Sequence, residues 1–169
     1  MSDLVIRPAE ATDIPAIAAI YDHWVATGTS SFELEPPGGA EMLRRFGVLR
    51  DAGHPYLVAL RDGRLLGYAY AGPYRPRPAY RFTLEDSIYL DPAARGAGVA
   101  KPLLAALVEA ARAGGYRNLM AVIGDSGNSA SVGLHAALGF RHVGTAKEIG
   151  FKFGRWLDVV TMQLVLRTD

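Results

Sequence analysis

The stretch from Leu90 to Leu104, LDPAARGAGVAKPLL, constrains this chain most. Two glycines stand one residue apart, an arginine precedes them, and an apolar run with helical spacing follows. Such a turn can be a tight corner, because glycine reaches backbone conformations closed to other residues. A dinucleotide site asks for more. It needs a third glycine three residues on, where Lys101 stands, and a turn tight against the preceding strand. Here Asp91 to Arg95 intervene. No acid ends the next apolar segment to hold a ribose; Asp125 lies beyond its end. The lysine-serine pair of a nucleotide P-loop is missing too. A pyrophosphate cradle remains alongside the plain corner. The N–H groups of residues 95 to 100 would converge on one spot, the following helix would add positive dipole, and Arg95 would add charge.

The rest of the chain sets limits around this turn. Its 169 residues suit one domain, 1–169, and half of them are hydrophobic, enough for a sizeable core. A net charge of +1 without a long basic run gives no sign of a nucleic-acid partner. There is no cysteine, so disulfides, thiolate metal sites and a cysteine nucleophile are excluded. No His/Asp/Glu cluster has metal-ligand spacing, so no metal is expected. The first residues lack an apolar signal core, and no apolar run nears the roughly 18 residues that span a bilayer. A cytoplasmic protein with no membrane partner is expected.

Patterning predicts the elements. Leu4 to Arg7 reads as a strand. A helix follows, capped at Thr12, with Ile14, Ile17, Tyr21, Trp24 and Val25 on one face. Ala40 to Arg50 reads as a second helix. Tyr56–Leu60 and Leu65–Tyr70 flank Asp62-Gly63, the signature of a type I′ hairpin. Phe82 to Leu90 reads as a strand and Lys101 to Ala113 as a helix ended by Gly114-Gly115. Leu119–Ile123 follows as a strand, and Asn128–Leu138 as a helix stopped at Gly139. Two last strands, Phe140–Glu148 and Trp156–Leu166, are joined through residues 149 to 155. The sum is an α/β (α+β) fold with a mixed central sheet of six to seven strands flanked by about four helices.

Two motifs then carry a resemblance. Arg95-Gly96-Ala97-Gly98-Val99-Ala100 resembles the R/Q-x-x-G-x-G/A signature of the GNAT superfamily of N-acetyltransferases. About 30 residues later, NSASVGLHAALGF (128–140) is similar to a second motif of that family, an Asn opening a helix that ends in Gly-Phe. Segments 68–90, 132–140 and 151–164 resemble the phosphinothricin and methionine sulfoximine acetyltransferase branch. The resemblance implies the GNAT fold and acetyl-CoA as co-substrate. It implies direct acetylation of the α-amine of a small amino acid analogue: phosphinothricin, methionine sulfoximine or methionine sulfone. Another small amine, such as a polyamine, and a non-catalytic acyl-CoA sensor are the alternatives.

The resemblance also assigns roles. The turn from Arg95 to Ala100 would hold the CoA pyrophosphate, and the main chain of Ile88, Tyr89 and Leu90 would guide the pantetheine arm. A bulge in that strand would free an N–H for the thioester oxygen. Asn128 and Ser131 would touch the arm, with Asn128 also capping its helix. Glu85 matches the family's proposed catalytic glutamate, with Asp86 as a structural competitor; alternation puts the two on opposite faces and leaves open which face meets the substrate. His135 stands where the wider superfamily places a tyrosine as acid toward the thiolate; a packed or capping histidine is the other reading. Phe32, Tyr74, Arg75, Arg77 and Arg81 are the substrate candidates, rings for an apolar tail and guanidinium forks for an acidic group. Lys152, Phe153 and Trp156 would reach the site or a partner's site, since a homodimer is implied.

Overall fold

A computed structural model describes residues 3–166. The described elements are β1 (Val5–Pro8), α1 (Ile14–Thr27), α2 (Gly38–Asp51), β2 (Tyr56–Arg61), β3 (Arg64–Pro73), β4 (Thr83–Leu90), α3 (Ala100–Ala113), β5 (Asn118–Gly124), α4 (Ser129–Ala137), β6 (Arg141–Lys152) and β7 (Arg155–Val165). The strands form one mixed sheet in the order β1-β2-β3-β4-β5-β7-β6. Every neighbouring pair is antiparallel except β4 and β5, which run parallel with α3 crossing between them.

The two sheet faces build two cores. One face packs α3 through Leu103, Leu104, Leu107 and Ala111 against Leu84, Leu119 and Ala121. The other packs α1 and α2, through Ile17, Tyr21, Val25 and Phe46, against Tyr56, Val58 and Tyr68. The alternation of β4 follows this division: Leu84 points into the α3 core, while Tyr89 stacks on Tyr68 in the α1–α2 core at 5.6 Å between ring centroids.

Three expectations are corrected. Thr12 caps nothing. Glu10 and Asp13 close a capping box on the 3-10 turn Ala11–Asp13, Asp13 also takes a bidentate pair from Arg7 at 2.8 and 2.9 Å, and α1 follows that turn from Ile14. Residues 149 to 155 are not a linker. β6 and β7 run through them and meet in a two-residue turn, Phe153-Gly154, with φ of 51° and 73°. That is the same left-handed pair as Asp62-Gly63, at 52° and 74°, but it lacks the Asn or Asp that advertises it. Thirdly, β4 carries no bulge against β3. Their register runs unbroken from Gly67↔Leu90 to Pro73↔Leu84.

Leu103 is fully buried where α3 meets the sheet. Leu103→Ala should cost about 2–5 kcal/mol of stability, since the cavity adds to the lost transfer free energy. A urea unfolding series reads this as a lower midpoint at unchanged slope.

Candidate active site

The site starts where two parallel strands part. β4 pairs with β5 from Thr83↔Asn118 to Asp86↔Ala121 and no further. Beyond that point β5 stays with β7 to Gly124, while β4 stays with β3 to Leu90. The edge of β4 from Ser87 to Leu90 therefore has no strand beside it. The main chain of Ser87 and Tyr89 is turned to β3, and the N–H and C=O groups of Ile88 and Leu90 face a cleft of about 600 Å³ whose walls include Trp24, Ile88, Gly98, Val122, Gly124 and His135. The free backbone that a bulge was expected to provide comes from this parting instead.

The glycine turn closes one end of the cleft. Asp91 caps the short 3-10 turn Pro92–Ala94 by accepting from Ala93 N–H at 2.8 Å, and Arg64 holds Asp91 in place. Gly96 and Gly98 follow, both left-handed, with φ of 75° and 72°. A Cβ built on either meets no protein atom within 4 Å, so the main chain there is open to a ligand. The six N–H groups are not equivalent. Those of Arg95 and Ala97 bond back to Pro92 and Ala94, while those of Gly96, Gly98, Val99 and Ala100 carry no such bond among the described residues. The Val99 side chain is buried in the α3 core, and Ala97 is absent from the cleft lining. Arg95 is exposed and its guanidinium sits 5.3 Å from the centre of the Trp24 ring.

The other expected residues divide. Asn128 does cap α4, accepting from Ser131 N–H at 3.2 Å, and both line the cleft. Ile88, Tyr89 and Leu90 line it too, but the Leu90 carbonyl is taken by the Trp24 indole N–H at 2.7 Å. In the sequence, the spacing of Trp24 marks it only as part of an apolar helix face.

Glu85 and Asp86 point opposite ways. Glu85 lies across from Gly72 on the α1–α2 face, on the same side of the strand as Ser87. It forms no salt bridge among the described residues. Burial lifts its pKa above the usual carboxylate range, the Asp86 charge adds to the rise, and Arg75 opposes it. Of the three loop arginines, Arg75 is thus the one whose charge reaches Glu85. Arg81 stacks on Phe82 and bonds Pro78 O, Arg77 is exposed, and Tyr74 packs edge-on against Tyr80.

Asp86 meets His135 at the apex of the parting. His135 is 2% exposed. Its Nδ1 lies 2.7 Å from the Ser131 carbonyl, an acceptor, so that nitrogen carries a proton. Nε2 lies 3.2 Å from both carboxylate oxygens of Asp86. Burial alone would lower the imidazole pKa; the Asp86 carboxylate and the Ser131 carbonyl outweigh it and raise it. His135 is thus a packed histidine, held between Ser131 and Asp86.

Phe32 sits on the loop between α1 and α2, its ring against Gly124 of the cleft wall. The buried Lys152 ammonium donates to Ser31 O on the same loop at 2.8 Å. Phe153 and Trp156 lie exposed at the β6–β7 turn.

Similarity to known proteins follows the same geometry. The acetyltransferase (GNAT) family model matches residues 17–140. A phosphinothricin N-acetyltransferase of Alcaligenes faecalis is 58% identical over 158 residues, covering 94% of this chain and 80% of that protein. An L-methionine sulfoximine/L-methionine sulfone acetyltransferase of Pseudomonas aeruginosa is 43% identical over 95% of this chain and 94% of its own length. The crystal structure of a phosphinothricin acetyltransferase from Sinorhizobium meliloti, in complex with acetyl-CoA, superposes with a TM-score of 0.93. It is 46% identical, covering 98% of this chain and 89% of that one.

The His135–Asp86 pair predicts a pH dependence. The folded state keeps an imidazole proton that the unfolded chain releases near 6.5, so this stabilisation is complete below that pH and is lost as pH rises through the raised folded value. Melting temperatures of the wild type and His135→Gln, measured from pH 6 to 9, should converge as pH rises. A constant gap would contradict a charged His135.

Proposed function

This chain belongs to the acetyltransferase (GNAT) family, and from that membership we propose that it moves the acetyl group of acetyl-CoA onto the α-amine of a small amino acid analogue of the phosphinothricin, methionine sulfoximine and methionine sulfone type. One observation carries this reading. A single strand, β4, offers an unpaired edge leading to the glycine turn and, on the α1–α2 face, a half-buried carboxylate without an ion-pair partner among the described residues.

The residues present fit acetyl-CoA. The free N–H groups of Gly96, Gly98, Val99 and Ala100, at the start of α3, suit a pyrophosphate, and the glycines leave room for it. The unpaired edge at Ile88 and Leu90, with Asn128 and Ser131 opposite, suits the amide-bearing pantetheine arm as an added strand. Acetyl-CoA supplies the activated acetyl thioester; the chain's own groups do the rest. An unpaired N–H of the β4 edge polarises the thioester oxygen. Glu85 takes the proton from the substrate ammonium, whose pKa of roughly 8–10 leaves it charged at neutral pH, and its raised pKa makes it a better acceptor. The freed amine attacks directly. His135 Nδ1 is committed to Ser131 O, so the mobile proton for the leaving thiolate is the one between Nε2 and Asp86. Arg75, beside Tyr74, anchors the acidic end of the substrate, and Phe32 walls its tail.

The same reading takes the chain to work in the cytoplasm as a homodimer. Phe151, Phe153 and Trp156 are more than half exposed on the β6–β7 hairpin and supply an apolar surface for a second copy.

Glu85→Gln should lower kcat by about 10²-fold or more, the usual size of acid–base assistance, with the KM for acetyl-CoA little changed. Stopped-time thiol release with phosphinothricin or methionine sulfone measures it; wild-type turnover would remove Glu85 from the mechanism. Arg75→Ala should raise the acceptor KM by about tenfold or more, for a lost charged hydrogen bond of about 1.5–3 kcal/mol. An unchanged KM would place the anchor elsewhere.

A further inference from the structure

We propose that Gly150 is a positioning residue for the acceptor site, because it is the seat that sets where the Phe32 ring lies. The inference rests on the reading of Phe32 as a wall of that site.

Gly150 is buried within β6 and its φ is not in the left-handed region, so its backbone does not demand glycine. The Phe32 ring does. A Cβ built on Gly150 would stand 2.2 Å from Phe32 Cε2 and 2.8 Å from Cδ2 and Cζ, far inside contact distance. Gly124, at the end of β5, closes the other edge of the ring: its Cβ would stand 2.7 Å from Cε1. Gly124 also lines the cleft, so the ring pressed between the two glycines continues the cleft wall.

The loop that bears Phe32 is pinned separately from the ring. Lys152 Nζ donates to Ser31 O at 2.8 Å, and Thr29 Oγ1 donates to Asp125 at 2.7 Å. Ser31 Oγ bonds the Tyr21 hydroxyl at 2.9 Å, and Arg45 holds Glu33 at 2.7 Å. With the backbone fixed at these points, a methyl at position 150 displaces the ring rather than the loop. Phe32 is 37% exposed, which leaves the ring space to turn into. The two glycines differ in one respect: a Cβ at Gly124 would also meet the Thr29 carbonyl at 2.8 Å and shift main chain, whereas the three nearest atoms at Gly150 all belong to the ring. Gly150 is therefore the clean probe.

The test is a double-mutant cycle on steady-state kinetics with phosphinothricin and methionine sulfone. Phe32→Ala should raise the acceptor KM. Gly150→Ala should raise it too, on the order of tenfold, the size of a one-methylene misfit in a pocket, with the KM for acetyl-CoA unchanged. Gly150→Ala with Phe32→Ala should match Phe32→Ala alone, since no ring remains to displace. Any loss of melting temperature in Gly150→Ala should likewise be recovered in the double variant. Additive effects, or a melting loss that Phe32→Ala does not recover, would overturn the seat. An unchanged acceptor KM in Phe32→Ala would instead overturn the reading of Phe32 as a wall, and the inference with it.

Discussion

The parting of β4 from β5 after the Asp86–Ala121 pair is the constraint on which everything else hangs. A parallel ladder that simply continued would satisfy every backbone group of both strands and leave no site. Here the two strands are pulled to different partners, β4 to β3 through Leu90 and β5 to β7 through Gly124. The cost is the outward main-chain groups of Ile88 and Leu90, left without a neighbouring strand where elsewhere in a fold they would be paired. An extended amide-bearing ligand is the partner that such an edge suits, and the glycine turn lies where the edge ends.

The strand so exposed also divides labour between its faces. Asp86 faces α4 and, with His135, fixes that helix at the apex of the cleft by a nearly dry hydrogen-bonded pair. Glu85 faces the α1–α2 layer, where burial lifts its pKa without supplying an ion-pair partner. Consecutive carboxylates thus acquire different chemistry from alternation alone. The tyrosines stacked at 56, 68, 70 and 89 support the Glu85 face, and the loop holding Phe32 is tied across it by Lys152, Asp125 and Tyr21.

Much of this was legible in the residues. Apolar periodicity located the helices, Asp62-Gly63 gave the first hairpin, and Arg95–Ala100 with Asn128 and its helix marked the cleft. What stayed hidden depends on contacts between distant segments. Trp24 reads as an ordinary core residue until its indole is seen on the Leu90 carbonyl, 66 positions away. The turn at Phe153-Gly154 has no Asn or Asp, so the two last strands seemed to stop short of it. Gly150 carries no local signal at all, since the ring that needs it comes from Phe32. The loop arginines looked alike in sequence; only the fold separates Arg75, near Glu85, from Arg81 stacked on Phe82.

Amide hydrogen exchange with and without CoA tests the central claim most directly. If the unpaired edge and the glycine turn form the CoA track, saturating CoA should slow exchange at Ile88 and Leu90 and at Gly96, Gly98, Val99 and Ala100, while the amides of β1 and β2 keep their rates. Binding that leaves the segments 87–90 and 95–100 unprotected would contradict the account.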